Sequence, residues 1–319
     1  MSRTECPGLD GANPLHFLAS LGILRLLPAS SRMGWAFSGV WSPWYEAECG
    51  GEGFFKNLSR GIRRGIEDHP FISLITRRDG SVDRNQTDQD DLTLVQDAYG
   101  FLPKSEIPKM KSPVFREAGI RALERMETIH EPSHPAWILA GLNAESVPDK
   151  NGLLEPTAFS FSNGGGQQFL LKDFLSLVSL TTPEAVRCSL LGEPGRFLWC
   201  TSLNWDPMAL RSYAHQWTEP ESMPKETDVA ANALAFLGLG CLPVVPGPHG
   251  NLTVGFRAEG RTFRWPLWGK GLFLETVGSL LSQDLSVQEE AADRGVSAVF
   301  EAKRFSSNKR LYFSPSRSL

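Results

Sequence analysis

Hydrophobic residues fall along this chain in three kinds of run: one nearly continuous, several at helical spacing, and several short and alternating. The continuous run is Leu15 to Leu27, in which only His16, Ser20 and Arg25 are strongly polar. Asn13 and Pro14 precede it. An Asn side-chain oxygen can accept a free first-turn N–H, and proline at the first helical position loses no hydrogen bond and brings its φ already set. A helix therefore starts at Pro14. A helix apolar on nearly every side belongs inside a protein or a bilayer, and this one falls short of the roughly 20 residues that span a bilayer. It reads as a buried N-terminal helix of a soluble core. Gly22 in its interior costs about 1 kcal/mol against Ala, which points to another backbone packed close beside it.

Helical spacing recurs from Gly53 to Ile66. Lys56, Arg60, Arg63 and Arg64 share one face, Phe55, Leu58, Ile62 and Ile66 line another, and no acid lies between Glu52 and Glu67. Such a basic amphipathic helix is either a phosphate-facing surface or a plain solvated face. Val114 to Ile129, Leu170 to Leu180, Asp228 to Leu239 with Asp228 as N-cap, and Leu272 to Leu281 also read as helices. Alternation marks strands at Trp35 to Trp41, bulged at Gly39, and at Ala158 to Phe161. It also marks a strand followed by a turn from Leu198 to Pro207, a hairpin over 242–256, and Thr262 to Trp268 with Pro266 at an edge or strand end. No regular βαβ alternation is visible. The fold class is α+β: mostly antiparallel sheets with packed helices around the buried N-terminal helix. Length divides the chain into an N-terminal region, 1–150, and a C-terminal region, 151–319, or leaves it one continuous domain.

A net charge of -4 argues against wholesale electrostatic binding to nucleic acid while leaving room for local basic patches. Nine Trp, 19 Phe, 30 Gly and 22 Pro describe an aromatic, loop-rich protein rather than a helical bundle. The five cysteines, at positions 6, 49, 188, 200 and 241, are never spaced C-x-x-C. They read as reduced thiols of the cytoplasm, with neither a disulfide framework nor a Cys-based zinc site. No apolar run precedes Pro14, so no secretory signal is expected.

The remaining motifs are weighed by what their chemistry requires. Asp83-x-Asn85-x-Thr87 suggests an EF-hand, but that loop needs Gly sixth and Glu twelfth. Asp88 and Leu94 stand there, and an acidic loop is the better reading. His130 and His134 form a literal H-E-x-x-H, yet Pro132 lies between them and Pro135 follows. Proline breaks the helix that would put both imidazoles on one face, so a helix-ending turn is expected. Asn163, Gly164, Gly165, Gly166, Gln167 and Gln168 lie between a strand and a helix, where backbone N–H groups can meet an anion. The stretch lacks both the Walker A and the G-x-G-x-x-G pattern. It is a tight turn or a contact to a nucleic-acid backbone or a partner. In the tail, Lys303, Arg304, Lys309 and Arg310 interleave with Phe305, Tyr312 and Phe313. Charge for phosphates and rings for bases suit single-stranded nucleic acid; the same rings suit the core of a strand pair. No nucleophile elbow, Cys/His nucleophile or metal cluster is apparent. A binding subunit without cofactor is favoured over an enzyme.

Several of these stretches resemble proteins of type I-G (formerly I-U) CRISPR loci. Leu9 to Arg25 (Leu-Asp-Gly-Ala-Asn-Pro-Leu-x-Phe-Leu-Ala-x-Leu-Gly-x-Leu-Arg) is similar to their N-terminal signature. Similar too are Pro156 to Leu170, Ala233 to Pro246, Trp265 to Trp268, and the tail from Gly295 to Pro315. The resemblance implies a non-catalytic, large-subunit-like component of a Cascade-type effector. Its partners would be the other effector subunits, guide RNA, target DNA and a recruited helicase-nuclease, with no membrane. Such subunits recognise the short motif beside the target and help hold the R-loop. Base pairing reads sequence there, while protein reads shape, backbone and motif. On this reading Lys56, Arg60, Arg63 and Arg64, the Asn163–Gln168 turn, and Lys303, Arg304, Lys309 and Arg310 form the nucleic-acid face. The alternatives are a scaffold subunit without nucleic-acid contact and an enzyme with an unrecognised site.

Overall fold

The computed structural model describes residues 1–67, 110–113, 115–116, 119–120, 138–145, 148–150, 152–161, 170–209, 226–247, 250–257, 260–283, 288–307 and 310–319. The N-terminal half contributes β1 (Ser2–Glu5), α1 (Pro14–Leu26), β2 (Arg32–Phe37), β3 (Trp41–Ala47), α2 (Glu52–Glu67), β4 (Met110–Lys111) and α3 (Ile138–Leu142). There follow β5 (Leu153–Leu154), α4 (Leu170–Leu180), α5 (Pro183–Leu191), β6 (Phe197–Trp199), β7 (Glu226–Asp228) and α6 (Val229–Gly238). The rest is β8 (Val244–Gly247), β9 (Gly250–Thr253), β10 (Phe256–Arg257), β11 (Thr262–Trp268), α7 (Leu274–Leu281), α8 (Gln288–Asp293), β12 (Val296–Ser307), β13 (Arg310–Phe313) and β14 (Arg317–Ser318). The fold is α+β. The pairings are antiparallel: a β1-β3-β2 sheet, a β10-β11-β12-β13 sheet with β14 added to β12, and the ribbons β4-β5, β6-β7 and β8-β9.

Helix α1 starts where its caps place it. Asn13 Oδ1 accepts the Leu15 N–H at 2.9 Å and Pro14 opens the first turn. Every residue from Phe17 to Leu24 is buried. Its main neighbour is α6, which is buried along its whole length. Two glycines set their separation. A Cβ on Gly22 would lie 1.9 Å from the Leu234 carbonyl oxygen, and one on Gly238 would lie 2.1 Å from that of Leu18. Only hydrogen side chains let these backbones come so close, so the close crossing offsets the helix propensity that Gly22 forgoes.

The two sheets close over this helix pair. Phe17 of α1 meets Trp35 of β2 at a ring separation of 6.1 Å and Trp265 of β11 at 5.9 Å. Buried indoles need a partner: Trp265 Nε1 donates to Gly11 O and Trp268 Nε1 to Met33 O, both at 2.8 Å. One hydrophobic cluster thus draws on both halves of the chain.

Helix α2 packs as its pattern predicts. Phe54, Phe55, Leu58 and Ile62 are buried against α5, α1, α4 and α6. Gly61 lets the Leu26 side chain close in, at 3.0 Å from where a Cβ would sit.

Two local readings differ, and the edge position expected for Pro266 holds. The stretch from Trp35 to Trp41 is a hairpin turn, not a bulged strand: Phe37 pairs with Trp41, and Gly39 turns the chain at φ +86°. Residues 158–161 form a turn rather than a strand. Their backbone groups go to tertiary and local partners, Ala158 N–H to Thr253 Oγ1 at 2.8 Å and Ser160 N–H to Thr157 O at 3.0 Å. Pro266 sits within β11, but β10 pairs only with Thr262 and Phe263, so no ladder bond is lost on that side. The acidic loop at 76–91 and the His130–His134 motif lie outside the described residues, as does most of 114–129. Among the described residues, no helix is long and apolar enough to cross a membrane.

Candidate nucleic-acid interface

The buried face of α2 fixes the direction of its other face. Lys56, Arg60 and Arg63 are exposed, and none forms an ion pair with another described residue. At positions i, i+4 and i+7 they cover about 10 Å along the helix axis. Arg64 lies on the same helix, and its side chain is outside the described residues. Long side chains on a packed helix give a rigid row of charge with mobile tips, which suits a chain of phosphates.

The tail forms the β12–β13 hairpin, with Arg304 opposite Phe313 and Phe305 opposite Tyr312. Phe313 and Tyr312 are buried, and the Phe305 and Tyr312 rings pair at 6.2 Å. Phe313 serves the core, while Phe305 is half-buried and packs beside Tyr312. Lys303 is exposed. Arg304 is half-buried, and its Nη1 donates to Ala158 O at 2.9 Å, tying the 157–161 turn to the sheet. Burial lowers the Arg304 pKa; Glu155 pulls it up, and neighbouring Arg261 lowers it further. Arg310 lies on β13 in register with Ser307, its side chain outside the described residues. Lys309 and the whole Asn163–Gln168 turn lie outside them as well. Arg261 was missed by the sequence reading. It is exposed and next to Arg304, a proximity made by strand pairing and invisible in linear spacing.

A second polar group lies where α1 and α6 begin. Asp228 caps α6, its Oδ1 accepting the Ala231 N–H and its Oδ2 the Ser189 hydroxyl, each at 3.0 Å. Burial raises its pKa in spite of these bonds and of His16 and Arg196 nearby. Asn13 Nδ2 donates to Asp206 Oδ1 at 3.0 Å, and that oxygen also accepts the Met208 N–H at 3.0 Å. His16 Nδ1 accepts the Asp10 N–H at 3.0 Å, which puts the ring proton on Nε2. Burial, aided by Arg196, lowers the His16 pKa against the pull of Asp206, Asp228 and Asp10. Asp228 and Asp206 each accept from one side chain and one backbone N–H, an arrangement that builds helix starts.

The His16 geometry has a measurable consequence. Its native pKa lies below the ordinary 6.5, so the unfolded chain takes up the proton first. The His16 contribution to stability is complete above pH 6.5 and diminishes as pH falls below it. Long-range ¹H–¹⁵N NMR should find His16 as the neutral Nε2–H tautomer at pH values where an exposed histidine is charged. An imidazolium persisting above pH 6.5 would contradict the hydrogen bond from Asp10.

All five cysteines are free. Burial pushes the Cys241 thiol up to about 11 and raises those of Cys6, Cys188 and Cys200, away from the thiolate that nucleophilic or metal chemistry uses. Among the described residues, no group of three or more His, Cys, Asp or Glu is placed to hold a metal ion. No protein-family model, curated protein or solved structure matches the chain.

Proposed function

We propose that this chain is a non-catalytic, large-subunit-like component of a type I-G RNA-guided CRISPR effector. It acts in the cytoplasm, touches nucleic acid on one face and meets protein neighbours elsewhere. The observation that carries the reading is the exposed row Lys56, Arg60 and Arg63 on a helix whose opposite face is buried in the core. On a chain of net charge -4, such an acid-free row fits a polyanion rather than general solubility. The resemblance of Leu9 to Arg25 and of the other quoted stretches to type I-G proteins supplies the kind of assembly. The partners on this reading are the other effector subunits, guide RNA, target DNA and a recruited helicase-nuclease.

The test is co-expression of the tagged chain with its neighbouring genes and a guide, followed by purification with and without nuclease. Co-purification with protein subunits and a discrete guide RNA is the expected result. A lone chain without RNA or protein partners would overturn the reading and return attention to an enzyme.

A further inference from the structure

All three side chains of β6 are large, apolar and exposed: Phe197 at 43%, Leu198 at 37% and Trp199 at 69%. Successive side chains alternate between faces, so the strand shows apolar surface on both. Its one ladder among the described residues is with β7, where Phe197 pairs with Asp228 and Trp199 with Glu226. On its other edge no backbone hydrogen bond reaches a described residue. Folded chains protect such edges with charge or proline. β1 carries Arg3 and Glu5, and β8 carries Pro246. β6 carries neither. A two-stranded ribbon is the smallest unit of sheet, and a third strand laid along an apolar face stabilises it.

The two rings on one face of β6 are set before any partner arrives. Trp199 Nε1 donates to Glu226 Oε1 at 3.3 Å. The Arg196 guanidinium lies 4.5 Å over the Phe197 ring, while its Nη1 donates to Gly8 O at 3.2 Å. An aromatic anchor already held in place has less freedom to lose on binding. Charge narrows the occupant further. Glu226 is exposed at the Trp199 end, where its carboxylate repels a phosphate and suits a cationic side chain.

We infer that β6 is the docking edge for an extended segment of a neighbouring protein subunit, which adds to the ribbon as a third strand. That segment is apolar at alternate positions, where it covers Phe197 and Trp199, and it carries a Lys or Arg where it passes Glu226. Main-chain bonds along the β6 edge give affinity, and the two rings give specificity. The inference rests on the effector-subunit reading above and names one surface at which the chain meets protein rather than nucleic acid.

The experiment adds the purified full chain to the guide-loaded assembly purified without it. It reads the affinity and the backbone hydrogen exchange over 197–199. Exchange there should slow when the parent chain joins, a readout that needs no variant. Trp199→Ala should join about 30-fold more weakly and Phe197→Ala about tenfold more weakly. Trp199 stands in solvent, so the thermal melt of its variant should match the parent. If the parent joins, the variants join as tightly and exchange over 197–199 is unchanged, the docking edge is wrong and the subunit reading stands. Protection that appears in the isolated chain as its concentration rises would make the occupant a second copy. Protection by a single-stranded oligonucleotide alone would make it nucleic acid. Either result overturns the inference. If the parent joins no assembly, the subunit reading falls with it.

Discussion

Replacing Gly22 by Ala should destabilise the protein by about 3 kcal/mol, and Gly22→Val by more. In an exposed helix the same change to Ala is stabilising by about 1 kcal/mol, so the sign alone is diagnostic. At Gly22 the new Cβ would sit 1.9 Å from the Leu234 carbonyl oxygen and 2.7 Å from its carbonyl carbon. Both are backbone atoms of α6, and no rotamer change moves them. The helices cannot simply part, because both are buried and Gly238 makes the reciprocal contact with Leu18 O at 2.1 Å. Urea unfolding measures the effect. Gly278→Ala in α7 is the control: nothing lies within 4 Å of that position, and the change should be neutral or stabilising. A Gly22→Ala variant as stable as the parent would mean that α1 and α6 do not cross at these glycines.

Glu301→Ala should cost about 3 kcal/mol. Its side chain is 5% exposed and accepts from Arg264 Nη2 at 3.0 Å and from Arg317 Nε at 2.7 Å. Removing it strands the Arg264 guanidinium, 19% exposed, on the sheet. It also releases the ion pair that helps hold β14 against β12. Arg317 is 69% exposed, so Arg317→Ala should cost only about 0.5–1 kcal/mol. Burial raises the Glu301 pKa, but hydrogen bonds from Arg317 and Arg264 outweigh it and hold the carboxyl below its ordinary 4.5. The native state therefore binds this proton less readily than the unfolded chain. The stability the pair contributes is present above pH 4.5 and is lost as pH falls through the native value. Thermal melts from pH 7 to pH 3 should show a smaller acid loss in Glu301→Ala than in the parent. Parallel pH curves would contradict the assignment.

What was legible in the chain was local. Asn13-Pro14 and Asp228 announce helix starts because a cap is satisfied within its own first turn. The α2 pattern announces a buried and a charged face because helical spacing alone decides them. Gly22 signalled a close backbone without saying which, since Leu234 reaches it only through the tertiary fold. The alternation of Phe159 and Phe161 looked like a strand, yet both rings enter the core from a turn held by Thr253 and Arg304, partners far away in sequence. Gly39 suggested a bulge because one left-handed glycine serves a bulge and a hairpin turn alike. Helix α5 was not recognised, although Thr182 caps it, Pro183 opens it and Gly192 ends it in the left-handed region. Its nine residues are too few for periodicity to stand out. On the candidate face, the row on α2 was readable from spacing. The pairing of Arg261 with Arg304 was not, because strand register creates it.

The central claim is that Lys56, Arg60 and Arg63 meet nucleic acid within a larger assembly. Its most direct measurement is target-DNA binding by the purified guide-loaded assembly across a salt series, with the parent chain and with Lys56→Ala/Arg60→Ala/Arg63→Ala. The account predicts intact assembly, weaker binding and a salt slope reduced by about 2.7. An intact assembly whose affinity and slope match the parent would contradict it.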